Sequence, residues 1–322
     1  MSSRMEISDP AGLAGSIRSG DRRSLARALT LVENKVRGHE TFLDAIYPDV
    51  GGAWRVGLTG PPGVGKSTVA GRLIEEFVAR GRRVAYLGVD PSSPFSGGAV
   101  LGDRIRLGNE HGDRVFIRSA ASRGAQGGLS AQTEAIADVL DVAGFDILLI
   151  ESLGVGQAEL DIARVVDTVV VVMVPESGDE IQAMKAGLLE IGDVLCVNKS
   201  DRASADALYS ALKHAVEMRA NSASRLPEVT KSIGTEAWGI DHLLEAITTH
   251  HRNLHQSGRW TELRDDRLRR RVEDIVRSEW EKRFWTEARS EVLYAAVSSL
   301  DTTARQPYSL ASLIVGGSSD GG

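Results

Sequence analysis

Short apolar runs alternate with helical stretches through the middle of the chain. In order, these runs are RVGLTG, RVAYLGVD, VFIRS, DILLIES, TVVVVMV and DVLCVNK. Continuous apolar runs of this length, separated by amphipathic segments, are typical of strands that are buried on both faces of a parallel sheet. The pattern therefore predicts an α/β protein with a mostly parallel central sheet.

Both ends of the chain have helical periodicity instead. Leu25, Ala28 and Leu29 recur at helical spacing in the first 50 residues, and the sequence after Leu254 is highly charged. The apolar face of this later part is formed by Leu268, Val272, Ile275, Val276, Trp280 and Phe284. We predict an N-terminal helical extension at 1–50, an α/β domain at 51–255, a C-terminal helical arm at 256–315 and a disordered tail at 316–322.

The composition argues against several classes of protein. The chain has 322 residues and a net charge of −6, so it offers no overall positive charge to nucleic acid or an anionic membrane. Its single cysteine, Cys196, lies in an apolar run, which indicates a buried thiol and no disulfide framework. No apolar run approaches the ~18 residues of a membrane span, and no signal-peptide pattern opens the sequence. We therefore expect a cytoplasmic protein without a nucleic-acid or membrane partner.

A phosphate-binding loop follows the first apolar run. The stretch GPPGVGKST fills every position of the pattern G-x-x-x-x-G-K-[ST], between a predicted strand and a predicted helix. Its glycines allow backbone N–H groups to surround phosphate oxygens, Lys66 should reach the β- and γ-phosphates, and Ser67 should bind Mg²⁺. The predicted nucleotide-binding residues here are Gly60, Gly63, Val64, Gly65, Lys66, Ser67 and Thr68.

The base of the nucleotide is predicted by the stretch NKSD, which comprises Asn198, Lys199, Ser200 and Asp201 and follows an apolar run. The carboxylate of Asp201 can accept hydrogen bonds from both the ring N–H and the exocyclic amine of guanine. Adenine offers no matching pair of donors. The stretch therefore favours GTP over ATP.

Three acidic residues are candidates for the metal site. Asp90 and Glu151 end two predicted strands, at the edge where doubly wound sheets bind ligands, and Asp103 lies on the loop after Asp90. Carboxylates beside a triphosphate favour Mg²⁺ coordination, directly or through water, or positioning of the attacking water. The alternative is that they are solvated turn residues. Gly97 and Gly98 would allow this loop to change shape with the γ-phosphate.

Five stretches, in this order, resemble the MeaB/ArgK family of P-loop GTPases: GPPGVGKST, VDPSSPFSGGAVLGDR, ESLGVGQAELDIARVVDT, SGDEIQAMKAGLLE and VNKSD. The resemblance covers about residues 15 to 300. It implies a GTP-hydrolysing metallochaperone of an adenosylcobalamin-dependent acyl-CoA mutase such as methylmalonyl-CoA mutase. It also implies a GTPase domain at 51–255 and a homodimer formed by the arm. The cobalamin belongs to the mutase, whose cofactor loading, protection and repair the GTPase gates.

The resemblance also implies roles for individual residues. Lys66, Asp90, Asp103 and Glu151 form the catalytic set, and Ser67, Asp90, Asp103 and Glu151 form the metal set. Asp179, Gln182 and Lys185 lie in the stretch PESGDEIQAMK and match the relay of a further switch segment, in which Asp179 and Lys185 are the charged positions. Ser232, Ile233 and Gly234 lie where the family has a third stretch that contacts guanine; this stretch is usually an S-A-like pair and appears here as KSIGTEAWG. Hydrolysis is expected to be slow until a mutase stimulates it.

Two other functions remain open. A GTPase that delivers nickel or another metal usually carries Cys or His ligands near its switch region, whereas Cys196 is interpreted as buried. His250, His251 and His255 are interpreted as solvated residues at a helix end rather than as metal ligands. A kinase could use the same phosphate-binding loop, but Asp201 selects guanine and no acceptor-pocket pattern accompanies it.

Overall fold

The computed structural model describes residues 6–91, 111–122, 128–152, 158–175, 187–218, 226–298 and 306–316. The chain divides into two compact units, residues 1–264 and 265–322. Within the described residues, no helix is both long enough and apolar enough to cross a membrane.

A parallel sheet forms the centre of the first unit. Its strands are β1 (Trp54–Thr59), β2 (Val84–Pro91), β3 (Val115–Ser122), β4 (Ile147–Glu151), β5 (Thr168–Met173), β6 (Val194–Val197) and β7 (Glu228–Lys231). The strand order is β3-β2-β4-β1-β5-β6-β7, and all neighbouring pairs are parallel. The α/β prediction is confirmed. The sequence pattern missed β7 because this strand has only four residues and begins and ends with a charged one.

Helices cover both faces of the sheet. They are α1 (Pro10–Arg18), α2 (Arg22–Glu33), α3 (His39–Ile46), α4 (Lys66–Ala79), α5 (Gly128–Val142), α6 (Ala158–Val165), α7 (Leu188–Ile191), α8 (Ala205–Met218) and α9 (Ile240–Gln256). Helices α4 and α9 share one apolar cluster with one face of the strands. The N-terminal helices α1 to α3 join α5 to α8 in the cluster on the opposite face. The predicted N-terminal helices therefore contribute to the same core as the sheet.

A buried ionic cluster ties the amino end of β1 to α5. The Arg55 guanidinium donates to Asp138 at 2.8 Å, and its backbone N–H donates to Asp167 at 2.9 Å. The Asp141 carboxylate accepts from the backbone N–H groups of 51–53. Burial lowers the pKa of Arg55, but these three carboxylates outweigh it and hold the pKa above its usual value.

The packing of α9 on β5 overturns the expectation that His250 is solvated. His250 is buried, with 3% of its surface exposed, rather than solvated. The Thr168 hydroxyl accepts from the Trp54 indole at 3.1 Å, so its own proton is available to His250 Nδ1 at 2.8 Å. His250 Nε2 then faces Asp193 at 3.1 Å. The helix end packs on the strand, which helical spacing alone could not reveal.

The second unit contains most of a long helix and two shorter ones. These are α10 (Arg259–Phe284), α11 (Glu287–Ser298) and α12 (Pro307–Gly316), and α10 begins in the first unit. Val272, Ile275, Val276 and Trp280 lie on one face of α10 and are 50% to 71% exposed. The helical prediction for this region is confirmed. Residues 317–322 of the predicted tail lie outside the described residues.

Candidate nucleotide-binding site

The predicted phosphate-binding loop joins β1 to α4 at the carboxyl edge of the sheet. Strand β1 lies between β4 and β5; the connection after β1 leads to β2 on one side of it, and the connection after β5 leads to β6 on the other side. Ligands of doubly wound sheets bind at such a switch point. Helix α4 begins at Lys66, so its N-terminal N–H groups point toward the loop, as the sequence predicts.

Two glycines are required by the shape of this loop. Gly60 has φ 134°, and a Cβ there would lie 2.1 Å from the Val172 carbonyl oxygen. Gly65 has φ 93°, and a Cβ would lie 2.5 Å from the Asn198 amide nitrogen. Residues with side chains rarely adopt these angles. The glycine spacing in the sequence therefore reflects close backbone approach as well as phosphate binding.

Lys66 brings a buried positive charge to the loop. Only 6% of its surface is exposed. Its ammonium donates to the carbonyl oxygens of Gly60 at 2.7 Å and Pro61 at 2.8 Å. The charge therefore lies against the loop that the sequence assigns to phosphate oxygens.

Ser67 and Glu151, two of the predicted metal residues, lie in contact. The Ser67 hydroxyl donates to Glu151 Oε1 at 2.7 Å, although α4 and β4 are separated by more than 60 residues. Hydroxyl and carboxylate oxygens are the ligands that Mg²⁺ prefers, so this pair fits the ion. Tyr86 donates its hydroxyl to Glu151 Oε2. The sequence analysis missed Tyr86, whose only signal was a polar group in an apolar strand.

The remaining predicted metal and switch residues are not placed relative to this pair. Asp90 belongs to β2, but its side chain lies outside the described residues. Asp103 and the relay residues Asp179, Gln182 and Lys185 also lie outside them. Their roles stay predictions.

Asn198 connects the predicted base-binding stretch to two other parts of the site. Its side-chain Nδ2 donates to the Val64 carbonyl oxygen at 2.8 Å. Its Oδ1 accepts from the Ser232 hydroxyl at 3.1 Å and from the Gly234 backbone N–H at 3.0 Å. The phosphate loop, the NKSD stretch and the third predicted stretch therefore meet at one buried amide.

The neighbouring residues orient this stretch further. Lys199 has φ 56° and donates its ammonium to the Gly63 carbonyl oxygen at 2.8 Å, which lays its stem against the phosphate loop. Asp201 is exposed, so its carboxylate is accessible to a base. Two further predicted nucleotide-binding residues are Thr68 and Ile233. Thr68 is exposed on the first turn of α4, and the Ile233 backbone N–H donates to the Trp238 carbonyl oxygen at 2.9 Å.

Arg72 is a second residue that the sequence analysis missed. Its guanidinium donates to the carbonyl oxygens of Gly234 and Thr235, both at 3.1 Å. The third predicted stretch is therefore held to α4 as well as to Asn198. A half-buried arginine on an amphipathic helix carries no sequence signal for such a contact.

Comparison with known proteins identifies the family to which this chain belongs. A family model described as methylmalonyl Co-A mutase-associated GTPase MeaB matches residues 25–289. The chain belongs to the MeaB family. It is therefore a GTPase, as the loop and the NKSD stretch predict, and guanine nucleotide is the ligand that its family binds.

Relatives of this MeaB-family chain are similar along most of its length. A putative GTPase from Pyrococcus horikoshii is 41% identical over 303 residues, which cover 93% of this chain and 95% of the relative. The GTPase ArgK of Escherichia coli is 35% identical, over 81% of this chain and 82% of its own length. A mouse mitochondrial protein, the methylmalonic aciduria type A homolog, is 36% identical over 56% of this chain and 48% of that protein.

A solved structure confirms the fold of the MeaB-family chain. The crystal structure of an LAO/AO transport system kinase superposes with a TM-score of 0.73 at 26% identity. The match covers 95% of this chain and 96% of that one.

Proposed function

We propose that this GTPase is a metallochaperone for an adenosylcobalamin-dependent acyl-CoA mutase of the methylmalonyl-CoA mutase type. It would gate the loading, protection and repair of a cobalamin cofactor that the mutase holds. The observation that carries this proposal is the match of residues 25–289 to a family described as associated with methylmalonyl-CoA mutase. The name of the mouse relative, which refers to methylmalonic aciduria, supports the same client.

The site residues suggest how GTP would be held. The loop at 60–65 and Lys66 would bind the phosphates, and Asp201 would accept from guanine. Ser67 and Glu151, with Asp90 and Asp103, would hold Mg²⁺, which neutralises charge on the phosphates.

A partner would then control the rate and read the nucleotide state. The described residues of the site include no glutamine or arginine assigned to the γ-phosphate, so we expect slow intrinsic hydrolysis. A group supplied by a mutase can raise such a rate by about 10³-fold or more. The stretch with Asp179, Gln182 and Lys185 would relay the change to the mutase as the γ-phosphate is lost.

We further propose a homodimer formed by the second unit. Val272, Ile275, Val276 and Trp280 form an exposed apolar stripe on α10, and a second copy of the chain would bury it. Light scattering coupled to gel filtration should give twice the mass of one chain. Val276→Glu should give the single-chain mass, and Glu273→Gln, on the same helix, should leave the dimer intact. A single-chain mass for the unmodified protein would refute the dimer.

The central experiment measures phosphate release from GTP and ATP, with and without a panel of cobalamin-dependent acyl-CoA mutases. We expect hydrolysis of GTP alone and acceleration by one of the mutases. Lys66→Ala should abolish hydrolysis, because it removes the positive charge that Lys66 would bring to the phosphates. Retention of the circular dichroism spectrum by this variant would show that the loss is local.

The proposal fails if no mutase binds the protein or changes its GTPase rate. High-affinity, stoichiometric binding of Ni²⁺ or Zn²⁺ in that case would favour metal delivery to an enzyme. Transfer of the γ-phosphate to an acceptor other than water would favour a kinase. A normal rate in Lys66→Ala would refute the site itself.

A further inference from the structure

We propose that Tyr86 is a positioning residue for the Mg²⁺ site, because its hydroxyl fixes the orientation of the Glu151 carboxylate. The inference rests on the proposed function in one respect, since it requires Glu151 to contribute to Mg²⁺ binding. It adds a residue that none of the sequence motifs contains.

The sheet places the two residues on the same face. Strand β2 pairs with β4 in parallel, with Tyr86 opposite Leu149 and Gly88 opposite Glu151. Side chains alternate between faces along a strand, so Tyr86, Leu149 and Glu151 point to the same side, which is the side of α4. A tyrosine ring is long enough to reach the next residue on that face. The hydroxyl of Tyr86 therefore meets the carboxylate at the strand end.

The two oxygens of Glu151 have different donors. Ser67 donates to Oε1 at 2.7 Å, and Tyr86 donates to Oε2. Donors on both oxygens fix the plane of the carboxylate more strictly than a donor on one oxygen does. Because Tyr86 uses the oxygen that Ser67 does not, its hydrogen bond does not compete with the Ser67 contact.

Burial raises the free-energy cost of breaking the hydrogen bond between Tyr86 and Glu151. Tyr86 is 1% exposed and Glu151 is 5% exposed. A buried hydroxyl requires a partner, and a hydrogen bond to an ionised acceptor is stronger than one between neutral groups. Phenylalanine would fill the same apolar space beside Val84 and Leu149. The hydroxyl of Tyr86 is thus a group whose partner, Glu151, belongs to the predicted metal site.

The test is Tyr86→Phe, which removes only the hydroxyl. Binding and release of a fluorescent GDP are measured in EDTA and across a Mg²⁺ titration. We expect the Mg²⁺ concentration for half-maximal slowing of GDP release to rise about tenfold, which is the effect of losing one charge-assisted hydrogen bond. GDP affinity in EDTA should stay within about twofold of the original, since Lys66 and the loop are unchanged.

Thr168→Val is the matched control. Thr168 is fully buried, and its hydroxyl is bonded to Trp54 and His250 at the opposite end of the sheet. This variant should lower the urea midpoint of unfolding and leave the Mg²⁺ titration unchanged. A shift in the Mg²⁺ titration that is confined to Tyr86→Phe separates positioning of Glu151 from a general loss of core stability.

The outcomes distinguish the inference from the function on which it rests. If Glu151→Gln shifts the Mg²⁺ titration and Tyr86→Phe does not, Glu151 acts without Tyr86 and the inference is wrong. If GDP release from the unmodified protein is insensitive to Mg²⁺, both the metal assignment and the inference are wrong. If the Tyr86→Phe shift is found but no mutase affects GTP hydrolysis, the inference holds and the chaperone proposal fails.

Discussion

The side-chain amide of Asn198 donates to the backbone carbonyl of Val64 at 2.8 Å. This contact joins the end of β6 to the phosphate loop, across more than 130 residues of sequence. Because the same amide also accepts from Ser232 and Gly234, three stretches that are predicted to bind the nucleotide depend on one side chain. Asn198 therefore organises the site in addition to any contact with the base.

Asn198→Ala should weaken nucleotide binding and the fold together. The change leaves the Val64 carbonyl and the Gly234 N–H without their buried partner, which costs about 1–3 kcal/mol. We expect a comparable loss in the free energy of unfolding and about a 10- to 100-fold loss in GDP affinity, measured by urea unfolding and calorimetry. Asn34→Ala, at an exposed helix end, should leave GDP affinity unchanged. Full GDP affinity in Asn198→Ala would contradict the bridging role.

Asp201→Asn should change the base that the protein prefers. Its carboxylate would accept from two donors of guanine, whereas an amide offers one donor and one acceptor. Xanthine has a carbonyl where guanine has the amine, so it matches the amide. We expect GTP hydrolysis to fall by about 100-fold or more and XTP hydrolysis to rise. Asp206→Asn, an exposed residue paired with Lys231, is the control and should keep GTP specificity.

His251 forms part of an aromatic stack at the end of α9. Its ring stacks on Trp54 with centroids 4.1 Å apart, and its Nε2 lies 3.1 Å from Nε2 of His255. This contact accommodates one proton between the two rings, because two protonated nitrogens would repel each other. Burial, with the neighbouring His255, lowers the pKa of His251 to about 4.

Stability should therefore fall on acidification below neutral pH. The unfolded chain takes up a proton on His251 near its ordinary pKa of about 6.5, whereas the folded chain takes it up only near 4. The stabilisation that His251 gives to the folded state is complete above the unfolded-state pKa of about 6.5, and it is lost as the pH falls toward the folded-state pKa of about 4. Because the ring is only half-buried, we expect the free energy of unfolding to fall by about 1–2 kcal/mol over this range.

Urea unfolding at pH 7 and pH 5 measures this loss. His251→Phe keeps a ring on Trp54 but does not titrate, so it should reduce the loss of stability between the two pH values. His242→Asn, at an exposed position on the same helix, should retain the full pH dependence. An unchanged pH dependence in His251→Phe would assign the acid sensitivity to other groups.

Arg55→Met should be among the most destabilising single changes in the sheet. The variant leaves Asp138 without its 2.8 Å partner and removes the positive charge beside Asp141 and Asp167. Removing one member of a buried ion pair costs about 3–5 kcal/mol. Thermal and urea unfolding measure the change. Arg80→Met removes the half-exposed pair with Glu76 and should cost less than about 1 kcal/mol.

Elements whose determinants are local could be predicted from the sequence. The loop from Gly60 to Gly65 has its glycines where positive φ and close packing require them, and the helix predicted after the loop is α4, which begins at Lys66. Six apolar runs marked six of the strands, because a strand buried on both faces is apolar at successive positions. Strand β7 has too few apolar residues to produce that signal.

Only the tertiary structure decided which distant residues meet. Helical spacing placed His250 near a helix end, but the packing of α9 on β5 buried it against Thr168. Tyr86 fitted the pattern of a core strand, and only the pairing of β2 with β4 brought its hydroxyl to Glu151. Periodicity reports which residues are apolar and how they are spaced along one element. The contacts made by Tyr86, Asn198 and Arg72 depend instead on the order and register of separate elements, which no local pattern contains.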